Sequence, residues 1–488
     1  MGPKKSILGS SATANIQDRG GSVRIRQAFA KHILFPIAYV RTDIGTHLRE
    51  LERSQWFSLQ QIQEIQWAKL LRLINHAYSN VPYYRDLFDG QCIKPSDINS
   101  FDDVWKIPPL CRKAIHENFE RMVAAAFDRK SLIRKTTSGS TGEPIAILRD
   151  RPAQGIASAS GLRFRKWAGH DMGEKSARIW GKAIELDETA TKKDEPSAFS
   201  LGGIEMGIKQ KLGNAINPTV TLSAFEAMSQ EVMEEFFVRV KKLGVSVLVG
   251  YVSAVYFFAE FVNENHQGEI TLKAVRTIAE VLYKHQRGVI EKAFQCPVFN
   301  VYGAREFELV ASECSFHRGL HINAENLYVE VVNSEGRPVP NGKSGEIAIT
   351  DLNNYAMPLI RYLIGDQGTL SGGSCPCGRG LPMIEEIIGR TVDMISLSDG
   401  TFLHGTIFIN FMWNFASEVE RFRVVQRKKG EIDLYLKLYS PLTAERFEVL
   451  KLSLQKITHN KLSIKHHLVE ELPLDASGKY RYVLSDVH

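Results

Sequence analysis

The sequence predicts an α/β protein with a large N-terminal body of several subdomains and covered β-sheets, followed by a small, mobile α+β domain. Short β-branched runs such as 245–250 and 298–301 alternate with helical stretches in the centre of the chain, which is typical of sheets covered by helices. The pattern changes near residue 394, after which a hairpin, a helix and a strand follow within 95 residues. The 488 residues also exceed the length that one hydrophobic core normally serves.

Residues 1–41 are predicted to be a separate, basic extension of this body. They carry seven Lys or Arg side chains and one acidic side chain, whereas the whole chain has a net charge of +6. The rest of the chain is therefore close to neutral, which argues against a body that binds nucleic acid through bulk positive charge. Residues 23–40 are predicted either to dock on the body as a helix or to contact an anionic surface or partner.

The composition is that of a globular protein, with 44% hydrophobic and 24% charged residues. No apolar run reaches the roughly 18–20 residues that span a bilayer, and the stretch 33–40 is interrupted by Pro36. The six cysteines show no disulfide framework, which is typical of a reducing compartment. We therefore expect a cytoplasmic protein.

Local signals predict several individual elements. Gln61 follows Ser58 in a capping-box pattern, and apolar residues then recur with helical periodicity to about Asn80. The elements expected after residue 394 are a helix after Gly405, a hairpin over 423–439 turning at Gly430, a helix over 444–458 and a strand over 463–469. The predicted domains are residues 1–41, 42–393 and 394–488.

The segment 135–144 is rich in glycine and hydroxyl side chains. Its central residues are Ser138, Gly139, Ser140, Thr141 and Gly142. Glycine allows backbone N–H groups to turn toward an anion, and hydroxyls donate further hydrogen bonds, so this loop suits a polyphosphate. It lacks the Gly-Lys-Ser/Thr ending of a Walker loop, and similar clusters also occur in ordinary loops.

Four later segments accompany this loop in order. They are Val-Tyr-Gly-Ala-Arg-Glu at 301–306, Arg-Tyr-Leu-Ile-Gly-Asp at 361–366, Gly-Arg-Thr-Val-Asp at 389–393 and Pro-Leu-Asp-Ala-Ser-Gly-Lys at 473–479. With the loop, this series resembles the adenylate-forming superfamily of acyl-CoA synthetases and peptide-synthetase adenylation domains. Residues 76–85 resemble its phenylacetate–coenzyme A ligase and capsular-polysaccharide branch. The resemblance covers about residues 50–488.

The resemblance implies how these segments would bind ATP. The loop residues 138–142 would hold the β- and γ-phosphates, and Tyr302 with Gly303 would lie against the adenine ring. Asp366 would accept hydrogen bonds from the ribose hydroxyls, with Arg390 nearby on the nucleotide. Residues 277–281 stand where the resemblance leads us to expect a Gly-Gly-Glu-like stretch but lack its glycines, so the shape of the adenine pocket and the choice of nucleotide stay open.

The resemblance also implies the catalytic groups and the hinge. Thr141 would act in the loop, Glu306 would help to bind Mg²⁺, and Lys479 would reach the α-phosphate and the carboxylate from the C-terminal domain. Bound metal and fixed donors neutralise the charge on departing pyrophosphate. Asp393 would be the hinge that lets the mobile domain close over the substrate.

A group of cysteines and histidines predicts a metal site. Cys314 and His317 form a C-x-x-H pair, and Cys375 and Cys377 form a C-x-C pair. Both pairs lie in glycine-containing turns, which suits a closed, tetrahedral, structural Zn²⁺ site. We predict these four residues as ligands, with His321 as a competing fourth ligand; unrelated loop residues are the alternative.

The predicted reaction is activation of a carboxylic acid by ATP to an acyl-adenylate, followed by transfer to coenzyme A. Transfer to an amine, a hydroxyl or a carrier-protein thiol is one alternative, and a catalytically inactive zinc-containing binding protein is another. Tyr251, Ser253 and Ala304 lie at the ends of predicted strands and, with Trp180, are candidate walls of the acid pocket. An aromatic or arylacetic acid is the resulting hypothesis.

Overall fold

The computed structural model describes residues 43–136, 145–180, 218–223, 230–282, 284–388, 394–415, 417–472 and 482–487. The basic extension lies outside these ranges, as do residues 389–393, where the domain boundary and the hinge are predicted. Within the described ranges, no helix is both long enough and apolar enough to cross a membrane. The elements form a large mixed body and a separate C-terminal group, which confirms the predicted fold class.

The α-helices of the described residues are numbered here in chain order. They are α1 (Ile44–Ser54), α2 (Leu59–Asn80), α3 (Pro82–Gly90), α4 (Arg112–Asn118), α5 (Arg151–Trp167), α6 (Gln230–Leu243), α7 (Val252–Asn265), α8 (Lys284–Phe294), α9 (Thr406–Met412) and α10 (Ala444–Ile457). Short 3₁₀ turns lie at Pro95–Asp97, Phe101–Lys106, Phe119–Met122, Arg129–Ser131 and Trp413–Phe415.

The strands are numbered in the same way. They are β1 (Ile133–Thr136), β2 (Ala146–Arg149), β3 (Ser176–Trp180), β4 (Thr219–Ser223), β5 (Val247–Tyr251), β6 (Ala274–Ile278), β7 (Val298–Ala304), β8 (Glu308–Glu313), β9 (Leu320–Ile322), β10 (Leu327–Val332), β11 (Ser344–Asp351), β12 (Tyr362–Leu370), β13 (Met383–Ile387), β14 (Met394–Ser396), β15 (Phe402–His404), β16 (Val419–Lys428), β17 (Glu431–Leu438), β18 (Ser463–Leu468) and β19 (Val483–Ser485).

An 11-stranded sheet forms the centre of the body, in the order β10-β11-β12-β13-β9-β8-β7-β6-β5-β3-β4. Strands β4, β3, β5, β6 and β7 pair in parallel, and every pair from β7 to β10 is antiparallel. Parallel neighbours need crossover connections. Helices α6, α7 and α8 supply these connections after β4, β5 and β6.

Alternate residues of the parallel strands face opposite sides of the sheet. On one face, a row in register packs with α6, α7 and α8 in a common core. This row consists of Ala177, Leu248, Val275 and Val298. On the opposite face, Ala274 and Phe299 pack with Ala168, which follows α5. Helical segments therefore cover both faces of the parallel half, as expected from the alternation of strands and helices.

The antiparallel half packs against α2 and α3 in the largest core cluster. A buried ion pair helps to fix this half, since Arg361 Nε lies 3.0 Å from Glu330 and neither side chain is more than 3% exposed. The guanidinium of Arg361 also donates to the carbonyl oxygens of Ile107 and Gly336, both at 2.6 Å. Arg361, the first residue of the 361–366 motif, is thus a buried anchor for the start of β12.

Helix α2 begins where the capping-box pattern predicts. The Ser58 hydroxyl accepts from the Gln61 N–H at 3.2 Å, and the Gln61 side chain accepts from the Ser58 N–H at 3.0 Å. These bonds satisfy N–H groups that have no partner within the helix. The helix then runs to Asn80, as its apolar periodicity predicts.

The C-terminal residues form their own sheet and core. Strands β18, β17, β16 and β19 pair in that order, and the hairpin β16–β17 turns at Gly430, whose φ is +75°. Apolar residues of α9, α10 and this sheet form one cluster. The predicted hairpin, the helix after Gly405, the helix over 444–458 and the strand over 463–469 are all present, with ends shifted by a few residues.

Candidate functional site

The carboxyl ends of β5, β6 and β7 lie at one edge of the parallel half, because these strands run in the same direction. Tyr251 ends β5, Ala279 follows β6, and Tyr302 and Ala304 belong to the end of β7. Ligands of open parallel sheets commonly bind outside this edge. Predicted site residues that are far apart in the sequence therefore share one edge.

The turn between β7 and β8 is tight and positions the 301–306 motif. Gly303 has no space for a side chain, because an added Cβ would lie 2.4 Å from the carbonyl oxygen of Glu308. Arg305 extends from this turn, and its Nη1 donates to the carbonyl oxygen of Thr136 at 2.9 Å. Thr136 ends β1 directly before the hydroxyl-rich loop. The turn therefore holds the start of that loop close to the sheet edge.

Tyr302 and Asp366 contact each other. The Tyr302 hydroxyl donates to Asp366 Oδ2 at 2.9 Å. The 301–306 and 361–366 motifs thus meet side chain to side chain, which their separation in sequence could not predict. The residues that the resemblance assigns to the adenine ring and to the ribose are neighbours.

Glu306 is buried beside two other polar side chains. Its Oε1 accepts from the Tyr362 hydroxyl at 3.2 Å and lies 3.5 Å from Arg112 Nη2. Burial raises the pKa of Tyr362, so this phenol remains a donor at neutral pH. Both contacts use the same carboxylate oxygen, Oε1. No sequence motif marks Arg112, which lies in α4; only its position beside Glu306 identifies it.

Lys135 and Glu308 form an ion pair next to the start of the loop. Gln154 Nε2 donates to Glu308 Oε1 at 2.8 Å, so β1, β8 and α5 are linked at this point. Burial lowers the pKa of Lys135. Burial alone would raise the pKa of Glu308, but the charges of Lys135 and Arg149 lower it. The pair fixes the strand that leads into the hydroxyl-rich loop.

Ala279 has a left-handed backbone conformation, with φ of +70°. It lies in the 277–281 stretch, where the resemblance leads us to expect glycines. Glycine adopts this conformation without a steric penalty, whereas Cβ of other residues crowds the backbone. Ala279 therefore has a backbone conformation that glycine favours, although the residue is alanine.

The candidate walls of the acid pocket lie close to this edge. The rings of Trp180 and Tyr251 have centroids 5.6 Å apart. Tyr251 packs against both the core of α6–α8 and the C-terminal core. Ala304 packs against the core of the antiparallel half. The side chain of Ser253 lies outside the described part of the structure.

A second group of side chains lies where β8, β9 and β13 meet. Cys314, His321, Cys375 and Cys377 each offer one ligand atom, and these atoms lie within 4.8 Å of one another. Cys314 directly follows β8, and His321 is central in β9 and pairs with Met383 of β13. The two remaining cysteines come from the loop between β12 and β13. Three thiols and one imidazole are the donor set of a structural zinc site.

His317 is not the fourth member of this group, which corrects the ligand set predicted from the C-x-x-H spacing. Its Nδ1 lies 3.0 Å from Glu313 Oε2, and its ring packs against Phe299. Because φ of His317 is +51°, the chain turns there and only then enters β9. Strand pairing places His321 opposite Ser312 of β8, close to Cys314. His321, the competing candidate, is therefore the imidazole of the cluster.

The protonation of the cluster also suits a metal. Burial lowers the pKa of His321 to about 4, so its imidazole is neutral at physiological pH. Its Nδ1 lies 3.4 Å from the Leu381 carbonyl oxygen, which fixes Nε2 as the free ligand atom facing Cys377 at 3.3 Å. Burial raises the pKa of Cys314 to about 12 when no cation is present. A divalent cation would reverse this effect by stabilising the thiolates.

The other predicted site residues lie outside the described residues. These are Ser138, Gly139, Ser140, Thr141, Gly142, Arg390, Asp393 and Lys479.

Comparison with known proteins gives consistent matches. Residues 395–486 match the family described as the CapK C-terminal domain. The chain is 26% identical over 391 residues to phenylacetate–coenzyme A ligase of Thermus thermophilus, covering 77% of this chain and 80% of the relative. It is 22% identical over 480 residues to protein CapK of Staphylococcus aureus, covering 96% of this chain and 95% of the relative.

Among solved structures, the chain resembles 2-hydroxyisobutyryl-CoA ligase in complex with 2-HIB-AMP and CoA in the thioesterification state. The TM-score is 0.59 at 18% sequence identity, and the match covers 89% of this chain and 92% of the other. An open conformation of the same ligase matches with a TM-score of 0.55. These structural matches show that the chain has the fold of that ligase.

Proposed function

We propose that this chain is a member of the adenylate-forming superfamily, in the branch of the phenylacetate–coenzyme A ligases and CapK, and that it activates a carboxylic acid with ATP and transfers the acyl group to coenzyme A. The first half-reaction gives an acyl-adenylate and pyrophosphate. The second gives a thioester and AMP.

One contact carries this proposal: the hydrogen bond from Arg305 to the carbonyl oxygen of Thr136. It links the 301–306 turn to the start of the hydroxyl-rich loop. The same turn presents Tyr302, which contacts Asp366, and Glu306, which lies near Arg112. Adenylyl transfer requires a phosphate-binding loop, a carboxylate and a nucleotide platform close together. The contact supports such an arrangement, because it holds Thr136, the last described residue before the loop, at the turn that bears Tyr302 and Glu306.

In the first half-reaction, a carboxylate oxygen attacks the α-phosphorus of ATP, and the bond to the bridging oxygen of pyrophosphate breaks. Residues 138–142 would hold the departing phosphates, and Lys479 would stabilise the charge on the α-phosphate. In the second, the thiolate sulfur attacks the acyl carbon and AMP leaves. These roles are what membership of that superfamily would imply for the motif residues.

Two metals are proposed. Glu306 would hold Mg²⁺, and bound Mg²⁺ would supply charge neutralisation at the phosphates. Cys314, His321, Cys375 and Cys377 would hold Zn²⁺. Because four protein ligands close a tetrahedral site, this zinc would stabilise the junction of β8, β9 and β13 and take no part in the reaction.

For the acid, we propose an aromatic or arylacetic compound. The neighbouring rings of Trp180 and Tyr251, tilted by 34° to each other, support this, since aromatic walls favour a flat ring. For the acceptor, the names of two similar proteins support coenzyme A over an amine, a hydroxyl or a carrier-protein thiol. The contact between Tyr302 and Asp366 argues against a binding protein that has lost catalysis, because a degenerate site has no need to preserve it.

The proposal is tested by ATP–pyrophosphate exchange across a library of aryl, fatty and amino acids, followed by mass spectrometry with coenzyme A and with candidate amines. An exchange-active acid that gives an acyl-CoA is the expected result. Lys479→Ala should lower exchange by orders of magnitude while ATP binding persists. Exchange without formation of a thioester would indicate an acceptor other than coenzyme A. The absence of exchange with every acid would refute the proposed activation of a carboxylic acid by ATP.

A further inference from the structure

Two arginines, Arg178 and Arg276, lie in one row across the sheet, on the face that carries Trp180 and Tyr251. Arg178 of β3 pairs in register with Val249 of β5, and Val249 pairs with Arg276 of β6. Side chains alternate along a strand, so residues two positions apart lie on the same face. Trp180 and Tyr251 are each two positions beyond this row, toward the carboxyl edge. The row therefore lies roughly 7 Å inward from the aromatic pair.

Among the described residues, the two arginines have no hydrogen-bond or salt-bridge partner. Arg276 is 5% exposed, and its buried Nε has no hydrogen-bond acceptor. This differs from the buried Arg163 and Arg361, which pair with Glu325 and Glu330. Buried charges are normally paired, since an unpaired one loses its hydration without compensation.

His170 adds an unpartnered donor to the same region. Its Nε2 lies 3.0 Å from Arg165 Nη2, and because a guanidinium can only donate, Nε2 must accept. The proton is then on Nδ1, which is buried and has no partner. Burial and the positive charges of Arg165, Arg276 and Arg178 lower the pKa of His170, which places these groups in one electrostatic neighbourhood.

Within the described ranges, no acidic side chain acts on the pKa of Arg276. Besides burial, only the positive charges of Arg165 and Arg178 shift the pKa of Arg276, and they lower it to about 9, so it is still charged at neutral pH. Glu174, a buried acid near the start of β3, pairs with Lys273 at 3.1 Å. The guanidinium groups of Arg178 and Arg276 and the Nδ1–H of His170 can all donate hydrogen bonds, and both guanidinium groups are cations. The complementary ligand is therefore an anion with several acceptor oxygens.

We propose that the acid activated by this protein carries a second oxyanion, a carboxylate or a phosphate, at the end distant from the reacting carboxylate, and that Arg178 and Arg276 bind it. This inference rests on the proposed function. The reacting carboxylate would lie at the sheet edge near Glu306. The part of the acid between its two anionic groups would pass the rings of Trp180 and Tyr251, and the distal oxyanion would neutralise the charges of Arg178 and Arg276. An uncharged end would leave the buried arginines unpaired, so the site selects against it.

The test is ATP–pyrophosphate exchange with matched acids. The panel holds dicarboxylic acids of graded length, monocarboxylic acids of the same length, the corresponding phosphono acids, and phenylacetate with and without a ring carboxylate. We expect the doubly anionic member of a matched pair to be preferred at least tenfold in kcat/KM. The dicarboxylic and phosphono arms identify which oxyanion is bound, and a preference for either supports the inference.

Arg276→Met should lower kcat/KM for the preferred acid on the order of 100-fold or more, with little change for its singly charged counterpart. Arg178→Met, at a less buried position of the same row, is the second variant if Arg276→Met does not fold. Arg239→Met, on the exposed side of α6, is the matched control and should leave the preference unchanged.

The outcomes separate the two proposals. Exchange that favours singly charged acids, or an Arg276→Met variant that slows all acids equally, would overturn this inference and leave the proposed function standing. Exchange with no acid at all would overturn the proposed function and this inference with it. Thermal unfolding with the best doubly anionic acid gives an independent readout, since the ligand should raise the midpoint of the wild type and not of Arg276→Met.

Discussion

The hydroxyl of Tyr302 donates to Asp366 at 2.9 Å, although β8, β9 and β13 separate β7 from β12 in the order of the central sheet. Adjacent strands lie about 4.8 Å apart, so a flat sheet would hold these residues far beyond hydrogen-bond distance. The sheet must curl until its antiparallel half faces the end of β7. This curvature brings the 361–366 motif to the carboxyl edge of the parallel half.

Tyr302→Phe removes this hydrogen bond and leaves the ring in place. We expect KM for ATP to rise about tenfold with little change in kcat, because a hydrogen bond to a charged group contributes about 1.5–3 kcal/mol and acts here on binding. Steady-state exchange kinetics would measure this. Tyr256→Phe is a matched control, since Tyr256 donates to the carboxylate of Glu260 within α7. Equal effects of the two variants would contradict a nucleotide-binding role for Tyr302.

Glu306→Gln removes the charge of the buried carboxylate and keeps an oxygen that accepts from Tyr362. If Glu306 binds the cation, we expect the rate of adenylation to fall by about 100-fold or more. Tyr362→Phe removes the donor of the same hydrogen bond and should lower the rate of adenylation by less than about tenfold. Rates at saturating ATP and increasing Mg²⁺ would show the difference. Comparable losses in both variants would indicate that Glu306 only supports the fold.

His321→Ala and His317→Ala distinguish the two histidines near the cluster. Elemental analysis of purified protein should find about one zinc per chain in the wild type and in His317→Ala, and little in His321→Ala or Cys375→Ser. The thermal midpoint should fall only in the variants that lose metal, because binding of a structural metal contributes to folding. Retention of zinc by His321→Ala with loss in His317→Ala would reverse the ligand assignment.

His170 should make the free energy of unfolding depend on pH. Its pKa lies well below the usual 6.5 in the folded protein, so below pH 6.5 the unfolded chain binds a proton that the native state excludes. Stability is therefore lost as the pH falls, by up to about 1.4 kcal/mol per pH unit. His170→Gln retains an acceptor for Arg165 and should reduce this slope. Urea unfolding at pH 5, 6 and 7 tests the prediction, and identical slopes would contradict it.

Ala279→Gly should stabilise the protein. At its φ of +70°, Ala279 has a steric energy penalty of about 1–2 kcal/mol that glycine would not have. The greater freedom of glycine in the unfolded chain offsets part of this gain. We expect a net increase of about 0.5–1 kcal/mol in the free energy of unfolding, measured by urea denaturation. A decrease would show that the methyl group makes contacts that outweigh the strain.

Local physical chemistry explains which elements were predictable. The capping box at Ser58 and Gln61 satisfies its hydrogen bonds within one helical turn, and the hairpin at Gly430 requires a positive φ that glycine provides. Such features depend only on neighbours in sequence. The motif residues Tyr302, Glu306 and Asp366 were also identifiable, since each stands in a recognisable segment.

Tertiary structure alone decided the partners of these residues. No spacing indicates that Arg112 lies beside Glu306, because α4 and the β7–β8 turn meet only after the sheet has folded. The spacing of Cys314 and His317 favoured the wrong ligand, since the positive φ at His317 turns the chain and strand pairing then places His321 beside the cysteines. The row of Arg178 and Arg276 is likewise invisible in sequence, because strand register across β3, β5 and β6 creates it. The sequence by itself predicted the fold class and the positions of the motifs, whereas register and sheet curvature decided which distant charges meet.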